Sequence, residues 1–249
     1  HNQEGILDND DSKIKEGSTA AFMDYSHSFG KVDVQAGVRY ENVKFDYYEQ
    51  GKHIDEQSRT FNNVFPSVNI NFPIGKTQIQ LSYSGGITRP SYDMLRGNIY
   101  YGNRYTYQTG NPFLKPIINQ DLIFSASYKW VNFSFTYNRT KDDIIQVCEP
   151  YSEADPTISL LKTVNTEPYN NIISAITLSP TISWWSPQLT AQVFKQWLHA
   201  EGPDGKLTLS KPRTIIVWRN SFTLPAGFLF DVDGTYYTCL LYTSPSPRD

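Results

Sequence analysis

Leu122-Ile123-Phe124-Ser125-Ala126-Ser127-Tyr128-Lys129-Trp130-Val131-Asn132-Phe133-Ser134-Phe135-Thr136-Tyr137-Asn138 reads as two strands joined by a tight turn. Before the turn, Leu122, Phe124, Ala126, Tyr128 and Trp130 alternate with Ile123, Ser125, Ser127 and Lys129. After it, Val131, Phe133, Phe135 and Tyr137 alternate with Asn132, Ser134, Thr136 and Asn138. Successive side chains on a strand point to opposite faces, so each run presents one apolar face and one polar face. Each run is close to the roughly 9–11 residues that cross a bilayer when tilted.

The same grammar extends outward from this hairpin. Val32, Val34, Ala36, Val38 and Tyr40 oppose Lys31, Asp33, Gln35, Gly37, Arg39 and Glu41. After Glu41 the apolar positions shift to Val43, Phe45 and Tyr47, a phase change that a β-bulge or the strand's exit from the membrane would produce. Val64, Val68, Ile70 and Phe72 lead through the Gly75 turn into Ile79, Leu81 and Tyr83, a second hairpin. With runs over 19–29, 170–185, 188–198, 212–224 and 228–238, the count is about ten strands.

The connections alternate in length. Tight turns fall near Gly30-Lys31, Pro73 to Lys76, Lys129 to Asn132, Ser186-Pro187 and Pro225 to Gly227, and long polar joins fall near 48–60, 86–117, 140–168 and 199–212. Short turns on one side and long loops on the other are the wiring of a transmembrane β-barrel. Trp130, Trp184 and Trp185 lie beside the short turns, and Tyr47, Tyr48, Tyr83 and Tyr137 toward the long loops, as two interfacial girdles would require. The expected fold is all-β: an antiparallel transmembrane β-barrel, present as an incomplete arc of about ten strands from a larger barrel.

Composition fits this class and excludes others. The 249 residues include 17 Tyr, 14 Phe and 5 Trp, yet only 39% are hydrophobic. Mean hydropathy is -0.47, and no apolar run approaches the roughly 18 residues of a spanning helix, so a helical membrane protein is excluded. A net charge of -3 gives no reason to expect a nucleic-acid partner.

Residues 1–238 are expected to form the partial barrel domain, with a signal peptide upstream. The run Cys239 to Asp249 breaks the strand pattern and reads as a non-native read-through tail. That leaves Cys148 without a dependable partner for a disulfide.

Phe65-Pro66-Ser67, Leu81-Ser82-Tyr83-Ser84, Thr88-Arg89-Pro90-Ser91-Tyr92 with Leu95, and Gly110-Asn111-Pro112-Phe113-Leu114-Lys115-Pro116 occur in an order and spacing that resemble the C-terminal β-barrel of TonB-dependent receptors, especially the related outer-membrane β-barrel family. The match centres on residues 60–140. The resemblance implies a barrel of roughly 22 strands with a plugged lumen in the bacterial outer membrane, energised uptake of a scarce ligand, and a plug domain and periplasmic energy-coupling protein as partners. Neither a plug nor an energy-coupling box is visible in the sequence. Arg89, Pro90, Gly110, Asn111 and Pro112 read as structural motif residues, since a proline supplies no ladder N–H and ends a paired strand. Lining the lumen or pairing with a plug is the alternative role for Arg89.

The ligand-binding candidates are Tyr92, Arg96, Tyr100, Tyr101, Arg104, Tyr105 and Tyr107, with Asn98 and Asn103 interleaved. Such a surface suits stacking on a sugar or other planar small ligand; packing of the loop over the barrel mouth uses the same residues differently. His1, His27, His53 and His199 are dispersed, and Asp8 to Asp11 and Asp231 to Gly234 lack an EF-hand arrangement, so no metal site and no cofactor are expected. Gly85-Gly86 is no phosphate loop. Asp142-Asp143, Glu149 and the Ser, His and Asp residues form no catalytic motif, so no enzyme is expected.

Three functions fit: the barrel of a receptor that binds and takes up a ligand, a non-transporting surface-binding or structural barrel in contact with outer-membrane lipid, and a soluble β-sandwich binding module.

Overall fold

The computed structural model describes residues 12–97, 99–152, 155–202 and 205–238. Asn98, the Asp8 to Asp11 run and the Cys239 to Asp249 segment lie outside the described residues. In chain order the elements are β1 (Ser12–Phe29), β2 (Val32–Glu49), β3 (Lys52–His53), β4 (Arg59–Ile74), β5 (Thr77–Thr88), the short helix α1 (Tyr92–Leu95), β6 (Ile99–Asn103), β7 (Thr106–Thr109), β8 (Ile117–Tyr128), β9 (Val131–Lys141), β10 (Ile144–Ser152), β11 (Asp155–Asn165), β12 (Tyr169–Leu178), β13 (Trp185–Gln196), β14 (Leu198–Gly202), β15 (Gly205–Leu209), β16 (Arg213–Thr223) and β17 (Leu229–Tyr237). Ten of them form one continuous antiparallel path, β1-β2-β4-β5-β8-β9-β12-β13-β16-β17, which does not close on itself. This is an arc of barrel wall. A β-sandwich would need a second sheet packed along the first, whereas the other two sheets among the described residues, of four and two strands, are built from the long connections.

The register shows why the arc has two chemically different faces. One row runs Tyr25, Ala36, Val68, Tyr83, Leu122, Tyr137 and Ile172 across seven strands, and the next row includes Val34, Ile70, Leu81, Phe124 and Phe135. On the opposite face the rows are polar: Gln35, Asn69 and Ser82, then Asn71, Gln80, Ser125 and Ser134. Val38, Leu81, Leu122, Ile176, Leu189 and Ile216 are exposed on the apolar face. Such a surface is stable against lipid and unstable against water. Among the described residues no helix is long and apolar enough to cross a membrane, and a barrel has no need of one.

The turn positions agree with expectation except one. Gly30 and Gly75 sit at φ 66° and 62°, the left-handed region that two-residue hairpin turns demand, and Lys129 adopts φ 51° in the β8–β9 turn. Ser186-Pro187 is not a turn. Both residues lie within β13, paired with Ser221 and Asn220, and the chain reverses at Ser183-Trp184, where Ile182 and Trp185 exchange hydrogen bonds of 2.8 and 2.9 Å. The proline does not mark the reversal, which Ser183 makes at φ 55°. Trp184 and Trp185 pack on Phe222, and Phe222 on Phe230, at ring separations of 5.7, 6.3 and 5.9 Å. These aromatics cluster at the short-turn end, where an interfacial girdle belongs.

The phase change in β2 coincides with a change in what covers the strand's inner face. Pairing with β1 and with β4 runs through Glu41, Val43 and Phe45 without a register shift, so there is no bulge. Val43, Phe45 and Tyr47 stay on the inner face and are buried there, Val43 to 1% exposure. Their cover is the segment between β5 and β8, whose Pro90, Leu95, Pro112, Leu114 and Pro116 line a small apolar seam against Phe45 and Tyr47. A long loop has folded inward and supplied the apolar partner that water could not. Leu95→Ala is expected to destabilise this loop by about 2–3 kcal/mol, read as faster hydrogen exchange over residues 89–116 with the wall strands unchanged. Equal acceleration in β8 and β9 would refute a local core.

Candidate functional site

The two longest connections fold together above the mouth. β6 pairs with β7, β7 pairs in parallel with β11 through Thr106↔Ser159 to Thr109↔Lys162, and β11 pairs with β10, giving a four-stranded sheet. The 199–212 join likewise holds a hairpin, β14–β15.

Gly110-Asn111-Pro112 is the hinge of this platform. Asn111 N–H donates to Met94 O at 2.6 Å, its side-chain amide donates to Thr163 O at 3.2 Å, and its Oδ1 accepts from Phe113 N–H at 2.9 Å. One residue therefore ties α1, β11 and the return to β8. Lys115 N–H donates to Asn165 Oδ1 at 2.8 Å while Asn165 Nδ2 donates to Lys115 O at 3.0 Å, a reciprocal clamp between the two loops. Asp142 and Asp143 serve the same joint: Asn165 Nδ2 also reaches Asp142 O at 2.8 Å, Thr166 N–H reaches Asp143 O at 2.7 Å, and Tyr169 donates its hydroxyl to the Asp143 carboxylate.

Arg89 and Pro90 follow the end of β5. Arg89 turns inward, its Nη2 3.0 Å from Glu41 Oε2 and its Nη1 3.3 Å from Glu16 Oε1, while Arg39 Nη2 holds the other Glu41 oxygen at 2.5 Å. Tyr92 donates to Glu16 Oε2 at 2.8 Å. These polar groups lie beside an open inner groove of about 810 Å³ whose lining includes Asp24, Arg39, Glu41, Ser67 and Arg89. The hydrogen bond to Glu16, reinforced by the Glu16 charge, raises the Tyr92 pKa above its usual 10.0. A raised folded pKa means the contribution is fully present below pH 10.0 and lost as pH rises through the higher folded value. Tyr92→Phe is expected to remove that alkaline step from the hydrogen-exchange protection of α1; an unchanged pH profile would refute it.

The remaining candidates divide by location. Tyr100, Tyr101 and Tyr105 are exposed on the platform, with Arg104 5.7 Å over the Tyr105 ring. Arg96 Nη1 lies 3.4 Å from Tyr100 OH and 3.7 Å from Asp93 Oδ1. Tyr107 is different: it is buried at 6% exposure, edge-on to Tyr151 at 4.9 Å, and serves the platform's own packing. Asn103 Oδ1 accepts from Tyr105 N–H at 2.9 Å, closing the β6–β7 turn.

One constellation went unseen in the sequence. Ser58 Oγ lies 2.9 Å from His53 Nε2, and His53 Nδ1 lies 2.9 Å from Asp55 Oδ1. The hydroxyl is already committed, donating to Ile54 O at 2.9 Å and accepting from Tyr47 N–H at 3.0 Å, with Asp46 Oδ1 3.4 Å from the same imidazole nitrogen. These contacts staple the β2–β4 loop. Among the described residues no cluster of three or more His, Cys, Asp or Glu could hold a metal ion.

A sheet with an apolar outer face, a polar inner face, aromatic ends and loops folded over one rim defines the wall of a membrane-spanning barrel. The chain matches the model of the Outer membrane protein beta-barrel family over residues 2–244, and it belongs to that family in the bacterial outer membrane. Among solved structures it is similar to the FrpB iron transporter from Neisseria meningitidis (F3-3 variant), with a TM-score of 0.60 at 14% identity over 90% of this chain and 33% of that one. It is similar to the siderophore receptor PirA from Pseudomonas aeruginosa, with a TM-score of 0.58 at 12% identity over 91% of this chain and 49% of that one. It is also similar to the copper transporter OprC, with a TM-score of 0.56 at 14% identity over 83% of this chain and 32% of that one. The chain thus spans about a third to a half of the length of these structures, and at such identities the likeness is one of fold. Comparison with curated proteins gave no match.

Proposed function

We propose that this chain is the wall and loop platform of an outer-membrane receptor that captures a small ligand outside the cell and delivers it inward by energised uptake. The observation that carries this reading is the inward fold of segment 89–116: it seals to the inner wall through Leu95 and Leu114 and joins β11 by parallel pairing. A barrel mouth roofed in this way holds a ligand in a defined pose, with Tyr100, Tyr101, Arg104 and Tyr105 presented outward. Binding, without catalysis, is the role proposed for this surface. A plug domain in the lumen and a periplasmic energy-coupling protein complete the proposed machine. The iron, siderophore and copper named for the similar structures make chelated metal the first ligand class to test.

The test uses the full-length protein in an outer-membrane host, with a panel of ferric siderophores and a copper salt as probes. Uptake of one probe that stops when the inner-membrane proton gradient is dissipated supports the reading, and surface binding without such uptake replaces it with a non-transporting binding barrel. Joint replacement of Tyr100, Tyr101 and Tyr105 by Ala is expected to weaken capture at least about tenfold, or 1.4 kcal/mol. Unchanged affinity would remove the platform from the ligand path.

A further inference from the structure

The outer, lipid-facing wall carries a break that the ladder explains. β4 and β5 pair only as far as Ser67↔Ser84, although β4 continues along β2 to Phe45↔Arg59 and β5 continues along β8 to Thr88↔Ile117. Pro66 is the next residue on β4 and has no N–H to offer a ladder. Above that point the regular ladder stops, although Gly85 still lies against β4, where a Cβ on it would stand 3.7 Å from Phe65 Cα. Beside the interrupted ladder is a cleft of about 270 Å³ whose lining includes Pro66, Tyr83, Gly85, Gln120, Arg139 and Lys141.

The register fixes the height of this cleft. Tyr83, Leu122 and Tyr137 form one outward row; two residues nearer the long loops are Gly85, Gln120 and Arg139, and two further are Ile87, Ile118 and Lys141. At about 3.3 Å per residue the two cations stand roughly 7 and 13 Å along the strand beyond the tyrosines. Tyrosines mark the interface of a barrel, so Arg139 and Lys141 stand at headgroup level in the leaflet on the long-loop side. Both are exposed, and their side chains have no ion-pair or hydrogen-bond partner among the described residues. Lys44, also at the long-loop end of its strand, is neutralised by Asp46 at 3.0 Å.

The geometry points to a binding site for a phosphorylated lipid headgroup in this cleft, with the Arg139 fork and the Lys141 ammonium on the phosphate, Gln120 beside them, and an acyl chain descending past Tyr83 and Leu122. A guanidinium matches phosphate oxygens in bidentate fashion and an ammonium serves as a point charge. The site is independent of what the barrel imports.

The test is native mass spectrometry of the full-length protein in maltoside micelles, whose headgroups carry no phosphate, doped with a phosphorylated glycolipid or its dephosphorylated form. Retention of the phosphorylated lipid is expected to be about thirtyfold the greater, the worth of two cations at an anionic headgroup, and Arg139→Gln with Lys141→Gln should abolish the preference. Equal retention of both lipids, or an undiminished preference in the variant, overturns the site. Complete displacement by inorganic phosphate at equal concentration also overturns the lipid assignment, leaving a site for free anions. Should the double variant fail to fold, Gln120→Glu keeps both cations and places a carboxylate directly beside Arg139; it must lower retention, and unchanged retention overturns the proposal.

Discussion

Gly110→Val is expected to unseat the roof of the barrel while leaving the wall intact. A Cβ on Gly110 would lie 2.3 Å from Arg96 O, 2.5 Å from Met94 O and 2.9 Å from Met94 C, all backbone atoms of the α1 turn. A flexible side chain can rotate away from such an approach, but backbone cannot, so one of the two segments must move. The segment that moves takes with it the 2.6 Å bond from Asn111 N–H to Met94 O, and with that the link to Thr163. Overpacking at a close approach costs about 1–3 kcal/mol, and the bond lost adds about 1 more. The expected readout is faster hydrogen exchange and new proteolytic cleavage confined to 89–116, with β8, β9 and β12 as protected as before. Capture of any ligand held by the platform should fall with it. Wild-type protection of α1 in the variant would sink the account.

The second large effect is expected at Glu41, whose side chain is only 5% exposed yet carries a charge. Burying a carboxylate is tolerated because Arg89 and Arg39 each take one oxygen. Arg39 is itself 57% exposed, so water screens it and its pair adds little. Arg89 is the partner that matters, because it anchors the start of the folded-in loop to the wall and bridges to Glu16 on β1. Removing one member of a buried pair costs about 3–5 kcal/mol where the other is left fully buried. Arg89 keeps partial exposure and Glu16, so Glu41→Ala is expected at the lower end, about 3 kcal/mol. Glu41→Gln, which retains an acceptor, should recover part of it. The measurement is the unfolding midpoint of the full-length barrel in detergent at low and high salt. A loss under about 1 kcal/mol, or one that vanishes in salt, would mean the pair is an ordinary surface contact.

Much of this architecture is legible without coordinates because a transmembrane strand writes itself locally. Period-two alternation in Val32 to Tyr40 and Leu122 to Tyr137 needs only the two-sided environment of a barrel wall, and the hairpins need only turn residues such as Gly30 and Gly75. The ten wall strands therefore follow from residue order, and the Arg89-Pro90 and Gly110-Asn111-Pro112 motifs stand out as boundaries. The turn assigned to Ser186-Pro187 failed because proline is tolerated within β13, while the true reversal at Ser183-Trp184 carries no glycine or proline.

Other features depend on residues far apart in the chain. Val43, Phe45 and Tyr47 break the alternation of β2, and no local rule shows that Leu95 and Leu114, about fifty to seventy residues later, will cover them. Tyr107 looks like Tyr105 in the sequence, yet one is buried against Tyr151 and the other faces solvent. The parallel pairing of β7 with β11 joins segments some fifty residues apart and has no turn to announce it. Alternation records which medium each face meets, lipid or water, and that is a property of each residue and its near neighbours. Which loop closes on which wall is settled by apolar burial and backbone pairing between distant segments, and those gains exist only once the chain has brought them together.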